Sequence, residues 1–326
     1  MKNIIASIFF LLALSFSVAA HQPQGEWHRG EGKFTFTGYK PLEDKPVTVY
    51  FYIPTEGDIT TMRVLFVMHG AERSGNVCMN NWKDLAEKLG FIVIAPEFSK
   101  EFYKENDYQF GGVMQKKDSD KLRPSEKWTY NIIEALFDLF KEQTGSERTC
   151  YDMQGHSAGG QFTHRFLLAM PQARVATAVA SNPGSWTFLL PSGLTAPSGK
   201  NYGWPYSVMG TPMADTCYIK TFLARKLCIH LGTTDRATSG TYVPTDEAAL
   251  AQGKYRFDRG KNFYKQARRL ARKNGWEFGW RKVHVKGISH SGKGMIYGKY
   301  TMDKDANPIF ETDNTAVNSA CNILYK

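Results

Sequence analysis

The stretch Cys150-Tyr151-Asp152-Met153-Gln154-Gly155-His156-Ser157-Ala158-Gly159-Gly160 passes from a short strand pattern into a helix pattern covering residues 158–170, and it holds the chain's one Gly-x-Ser-x-Gly. A serine at a sharp strand-to-helix turn takes a strained backbone. Glycine two residues before and two after removes Cβ atoms that would crowd the neighbouring strand and helix. The pattern by itself is weak, and its plain alternative is a glycine-rich helix start that binds an anion. The strand before it and the helix after it make Ser157 the candidate nucleophile.

Outward from that turn, short apolar runs alternate with helical stretches. Residues 63–68, 91–95, 150–153, 175–180, 227–231 and 280–285 read as strands. Between them, residues 82–89 read as a short helix. A second helix opens at Pro124-Ser125-Glu126, carries the stripe Ile132, Ile133, Leu136, Phe137 and Phe140, and is stopped by Gly145. Strands of this kind, nearly continuous in apolar residues and separated by helices, predict an α/β chain with a mostly parallel, doubly wound sheet. Ahead of them, residues 33–37 and 46–53 alternate β-branched and aromatic residues with polar ones and predict an N-terminal antiparallel hairpin. Residues 99–124 show no clear period. Residues 189–218 are rich in proline and glycine and hold Tyr202, Trp204 and Tyr206 close together. They are an inserted cap or lid whose aromatics line a substrate pocket, or a loop packed down by those same rings.

A nucleophilic serine needs a base and an orienting acid, which follow it in the order Ser, Asp, His at this kind of turn. Of the histidines after Ser157, His164 falls in a helix and His230 and His284 fall in strands. Only His290 sits in a loop, Gly287-Ile288-Ser289-His290-Ser291-Gly292, just beyond a strand. Asp235 follows the strand 227–231 through Gly232-Thr233-Thr234 and is the candidate acid, with Asp215, Asp246 and Asp258 as weaker rivals. Charge developing on a carbonyl oxygen needs donors. The backbone N–H of Ala158 opens the helix after Ser157, and the N–H of Ala71, in the turn Val67-Met68-His69-Gly70-Ala71 at another strand's end, is the second candidate. His69 itself reads as structural. This chemistry proceeds through an acyl-enzyme with no cofactor and no metal.

Lys2 followed by an apolar and small-residue run from Ile4 to Val18, then Ala19-Ala20, has the layout of a signal peptide cleaved after Ala20. Residues 21–326 would then form a single secreted or periplasmic domain with no transmembrane helix after cleavage. The net charge of +10 and a pI near 9.2 permit attraction to acidic polymers. Much of that charge lies in residues 261–273, where Phe263, Ala267, Leu270 and Ala271 recur at helical spacing, so a solvated amphipathic helix accounts for it and no nucleic-acid partner is called for. The five cysteines form no C-x-x-C pair. Cys150 and Cys228 read as core residues, and no pairing follows from their spacing.

In His69-Gly70, Phe91-Ile92-Val93-Ile94-Ala95-Pro96, Gly155-His156-Ser157-Ala158-Gly159-Gly160, Gly232-Thr233-Thr234-Asp235, Gly260-Lys261-Asn262-Phe263-Tyr264 and Gly287-Ile288-Ser289-His290, the chain resembles the secreted α/β-hydrolases of the poly(3-hydroxybutyrate) depolymerase-like group, which includes feruloyl and acetylxylan esterases. The resemblance spans most of residues 21–326. It implies the α/β-hydrolase fold and a triad of Ser157, Asp235 and His290. Ala71-Glu72 stand where true depolymerases commonly carry a cysteine, and no polymer-binding domain is appended. A soluble ester, such as an acyl group on an oligosaccharide or a short polyester oligomer, is therefore the expected substrate. The alternatives are a serine peptidase of the same fold and a non-catalytic glycan- or lipid-binding homologue.

Overall fold

Leu65 and Val67 face one side of their strand and Val64, Phe66 and Met68 the other, and all five are buried. A strand apolar on both sides needs cover on both sides. The computed structural model, which describes residues 26–117 and 119–326, supplies it. The leader read over residues 1–20 lies outside the described residues.

The central sheet is built from β1 (Gly30–Phe36), β2 (Val47–Ile53), β3 (Arg63–Met68), β4 (Phe91–Glu97), β5 (Tyr151–His156) and β6 (Val175–Ser181). After a small hairpin, β7 (Leu194–Thr195) with β8 (Asn201–Tyr202), the sheet continues with β9 (Leu227–Gly232) and β10 (Arg281–Val285). Its spatial order is β1-β2-β4-β3-β5-β6-β9-β10. The β1–β2 and β2–β4 pairings are antiparallel and every later one is parallel. This is the expected α/β-hydrolase architecture, with its N-terminal antiparallel strands.

The helices are α1 (Gly75–Leu89), α2 (Glu105–Tyr108), α3 (Asn131–Thr144), α4 (Ala158–Ala169), α5 (Thr216–Ala224), α6 (Glu247–Gln252), α7 (Arg256–Asn274), α8 (Gly292–Tyr297) and α9 (Ala320–Tyr325). Met79, Trp82, Leu85 and Ala86 of α1 join Ile296, Tyr297, Cys321 and Leu324 of α8 and α9 against Leu65, Val67, Val93 and Ala95. On the other face α3, α4 and α7 bring Leu136, Phe137, Phe162, Phe166 and Phe263 against Phe66, Met68, Ile94, Met153 and Ile229. The basic run lies on α7 as an amphipathic helix, with Phe263, Ala267 and Ala271 inward and Lys265, Arg268, Arg269 and Arg272 exposed. Among the described residues no helix is long and apolar enough to cross a membrane.

Some sequence expectations need correction. The first helix begins at Gly75, well before residue 82, because the Glu97 carboxylate accepts the Gly75 N–H (2.7 Å) at the helix N-terminus and Met79 adds an apolar contact. Cys150 precedes β5 and is half-buried, whereas Cys228 in β9 is buried and burial pushes its thiol up to about 12. The segment 189–218 packs down against the domain. Leu189, Leu194, Val208 and Met213 join the core, and the Phe188 N–H donates to Tyr206 O (3.0 Å). Arg165, fully buried in α4, donates to Pro205 O (3.2 Å).

Three fully buried histidines, His69, His164 and His230, take part in this packing. Burial lowers His69 to about 3 and His230 to about 4, and burial followed by the neighbouring Arg165 charge lowers His164 well below 6.5. In the unfolded chain each protonates near pH 6.5, so the unfolded state binds more protons below that pH. Their contribution to stability is intact above about pH 6.5 and is lost as pH falls towards 4. The loss approaches about 1.4 kcal/mol per pH unit for each ring. Urea midpoints measured from pH 7.5 to 4.5 should fall steeply below 6.5, and His230→Gln should make the fall shallower. A flat profile over that range would contradict the assignment.

Candidate active site

Ser157 stands between the end of β5 and the start of α4 at φ 58°, ψ −116°, a conformation that side-chain-bearing residues rarely adopt. The glycines beside it explain how the turn fits. A Cβ on Gly155 would overlap the Gly159 carbonyl, and one on Gly159 would overlap the carbonyl oxygen of Met68 at the end of β3. The Ser157 N–H donates to Ser181 O (2.9 Å), tying the turn to β6.

His290 and Asp235 arrive on two loops zipped together at the ends of neighbouring strands. The Thr233 N–H donates to Val285 O (3.0 Å), the Thr234 N–H to Ile288 O (3.2 Å) and the Gly287 N–H to Thr233 Oγ1 (3.0 Å). Gly232 is needed where the loops touch, since a Cβ there would lie 2.5 Å from Ile288 O. The buried Asn182, not foreseen from the sequence, staples this junction: its Oδ1 accepts the Gly232 N–H (2.8 Å) and its Nδ2 donates to Ser289 O (3.2 Å).

The result is a linear relay. His290 Nε2 lies 3.0 Å from Ser157 Oγ and His290 Nδ1 lies 2.7 Å from Asp235 Oδ2. A carboxylate can only accept, so Nδ1 carries the ring proton and Nε2 is left to accept from the serine hydroxyl. Asp235 is fully buried, and its other oxygen meets a second unforeseen residue, Arg256, at 3.1 Å. The structure thus brings Ser157, His290 and Asp235 into contact. The rivals lie elsewhere: Asp215 and Asp246 cap α5 and α6, and Asp258 pairs with Lys261 on α7.

Two cavities meet at Ser157. One, about 470 Å³, includes Ala71, Ser157, Ala158, Gln161, Tyr206 and Tyr242 in its lining. Four cations also line it, Arg73, Lys100, Lys104 and Lys117, against two carboxylates, Glu105 and Asp246. Asp246 is already engaged by the Tyr206 hydroxyl (2.8 Å) and the Ala249 N–H (3.0 Å). The other cavity, about 320 Å³, is the more apolar and runs past Ala71, Val77, His156, His290 and Ile296. Ala158 is the first residue of α4, where an N–H has no acceptor within its own helix, and Ala71 borders both cavities. His69 holds the Ala71 turn. Its Nδ1–H donates to Gly70 O (2.9 Å), its Nε2 accepts the Phe98 N–H (3.0 Å), and its ring stacks on Tyr108.

The expected aromatic pocket is largely absent from this cleft. Tyr206 forms part of the wall, but Trp204 is buried in the core and Tyr202 turns to Glu247, its hydroxyl donating to Oε2 (2.9 Å). An indole gains more from leaving water than from bordering an open cleft. The walls come instead from residues 100–117, which showed no period in the sequence, and from 241–246. No local signal marks this wall: the cations Arg73, Lys100, Lys104 and Lys117 are scattered in sequence and gathered by the fold.

No protein-family model and no curated protein matches this chain. Solved structures do. Poly(aspartic acid) hydrolase-1 from Sphingomonas sp. KT-1 superposes with a TM-score of 0.75 at 33% identity, covering 82% of this chain and 96% of its own. The chain belongs to the esterase group of the α/β-hydrolases. LpqC, a poly(3-hydroxybutyrate) depolymerase from Bordetella parapertussis, matches this hydrolase with a TM-score of 0.74 at 27% identity, over 82% of this chain and 86% of its own. An S-formylglutathione hydrolase from Staphylococcus aureus (TM-score 0.50, 16% identity, 81% and 93% covered) shares the fold.

Because the Met68 carbonyl fills the space beside Gly159, Gly159→Ala should drive β3 and α4 apart. A loss of several kcal/mol is expected, of the size that backbone overlap in a core produces, seen as little soluble protein or a sharply lowered melting temperature. A melting temperature within about 2 °C of wild type would contradict the packing described, since about 1 kcal/mol moves it by 2–4 °C in a domain of this size.

Proposed function

We propose that this hydrolase is an exported serine enzyme that cleaves carboxylic esters through an acyl-enzyme. The observation that carries the reading is the Ser157–His290–Asp235 relay, with hydrogen-bond distances of 3.0 and 2.7 Å. In the proposed cycle the Ser157 oxygen attacks the ester carbonyl while His290 Nε2 takes its proton and Asp235 holds the resulting imidazolium. The backbone N–H groups of Ala158 and Ala71 receive the oxyanion. The imidazolium then protonates the leaving alcohol, and water releases the acyl group by the same steps in reverse. Export rests on the leader read in residues 1–20, and residues 21–326 make up the mature hydrolase domain.

Assays on p-nitrophenyl esters, acetylated xylan, feruloyl esters and hydroxybutyrate oligomers, run beside Ser157→Ala, test this. Wild type should turn over at least one ester and the variant should lose about 10⁴-fold or more of that rate. Retained turnover in the variant would refute the reading.

A second reading is favoured by the cations beside Ser157: hydrolysis of backbone amides in an anionic polymer. The triad chemistry is the same with an amine as leaving group, and the neighbour at 33% identity is named for poly(aspartic acid). Arg73, Lys100, Lys104 and Lys117 would attract a chain of carboxylates. If so, Lys100→Glu with Lys104→Glu should lower kcat/KM on poly(aspartate) about ten-fold or more at low salt, with the deficit shrinking as salt is added. A neutral p-nitrophenyl ester should change by less than about two-fold. Equal losses on both substrates, or none on the polymer, would remove this reading.

A further inference from the structure

We propose that Arg256 is a positioning residue for the triad, orienting Asp235 towards His290 and opposing, through its charge, the hold of Asp235 on the imidazolium. This rests on the serine mechanism proposed above.

Arg256 is the first residue of α7 and is only 4% exposed, and its Nη1 lies 3.1 Å from Asp235 Oδ1. Asp235 thus has one oxygen on His290 and the other on Arg256, which fixes the rotation of its carboxylate. Nη2 donates to Tyr242 O (3.1 Å), and Tyr242 lines both cavities at Ser157. One guanidinium therefore joins the acid of the relay to the cleft wall.

The placement is a poor one for stability alone. A cation at a helix N-terminus is opposed by the helix dipole. Among the described residues Nε of Arg256 is buried without a partner, a cost that an apolar side chain at this position would not carry. What the charge does offset is the burial of Asp235, whose other side-chain hydrogen bond is with the imidazole of His290.

The consequence for His290 has a definite sign. Asp235 stabilises the imidazolium and Arg256, on the far side of the carboxylate, opposes that stabilisation. Other groups face the same region. The His156 ring lies tilted against that of His290, with centroids 4.5 Å apart, and is kept neutral, lowered well below its ordinary value by burial first and then by His290, Arg256 and His230. Lys293, Glu72, Cys78 and Tyr242 line the cavity that His290 borders, and Arg259 lies within electrostatic reach of Asp235 and Arg256. All of these stay in place when Arg256 alone is neutralised, so the hold of Asp235 on the imidazolium strengthens and the labelling profile moves to higher pH.

The test is the rate of covalent labelling by a fluorophosphonate across pH 4.5–9 for wild type, Arg256→Gln and Arg256→Lys. Labelling of wild type but not of Ser157→Ala comes first, so that failure of the serine mechanism is recognised separately. Arg256→Gln should move the acidic midpoint up by about one pH unit and lower the plateau about ten-fold or more. Arg256→Lys, which keeps the charge and loses the fork, should leave the midpoint within about 0.3 unit while the plateau falls several-fold. If Arg256→Gln does not fold, the lysine variant decides: an unchanged plateau would overturn the positioning role. For folded Arg256→Gln, an unmoved midpoint would overturn the proposal whatever happens to the plateau.

Discussion

The structure depends on one strained residue. Ser157 holds φ 58°, ψ −116° because the chain must leave β5 and enter α4 without a connecting loop. Nothing in a serine favours that backbone, so its surroundings must impose it. The β3 backbone closes one side through Met68 against Gly159, β6 holds the serine N–H through Ser181 O, and α4 is buried along its whole length. The two apolar faces of the sheet stabilise the strands on either side of the turn, and the strain is a small debit against that burial. The hydroxyl consequently projects beyond the carboxyl ends of the strands, where the loops meet.

The partners of Ser157 are placed by a different device. His290 and Asp235 sit on loops that could each move alone, but the backbone bonds between residues 232–234 and 285–288, together with Asn182, make one unit of them. A buried carboxylate with a histidine on one oxygen and an arginine on the other cannot turn without giving up a charged contact. Such buried contacts are costly to break singly, which favours one geometry over many. The cleft around the relay is chemically lopsided: cations gather on the side of residues 100–117, and apolar side chains dominate on the side of α1 and α8.

How much of this could be read from the chain follows from how local each signal is. The strands β3, β4, β6 and β9 announce themselves because both of their faces are apolar, and Gly155 and Gly159 announce the turn because only glycine fits there. His290 and Asp235 were legible because each lies just past a strand's end, where this topology places its loops. The cleft walls were not legible. Lys100, Lys104, Lys117 and Tyr242 have no periodicity, and only the tertiary fold assembles them. Trp204 and Tyr202 left two readings open in the sequence, because an aromatic ring can mark burial as well as a pocket, and Trp204 is buried in the core while Tyr202 turns to Glu247. Nothing local in the sequence marks Arg256, because its contact is with Asp235, twenty-one positions earlier.

The central claim is that Ser157 carries the acyl group. Rapid mixing with a p-nitrophenyl ester, acid quenching within the first turnovers, and mass spectrometry of the intact protein and its peptides would test it directly. The account predicts a mass increase equal to one acyl group, mapped to the peptide holding Ser157 and absent from Ser157→Ala. Turnover with no adduct on that peptide in any quench, or an adduct on another residue, would contradict it.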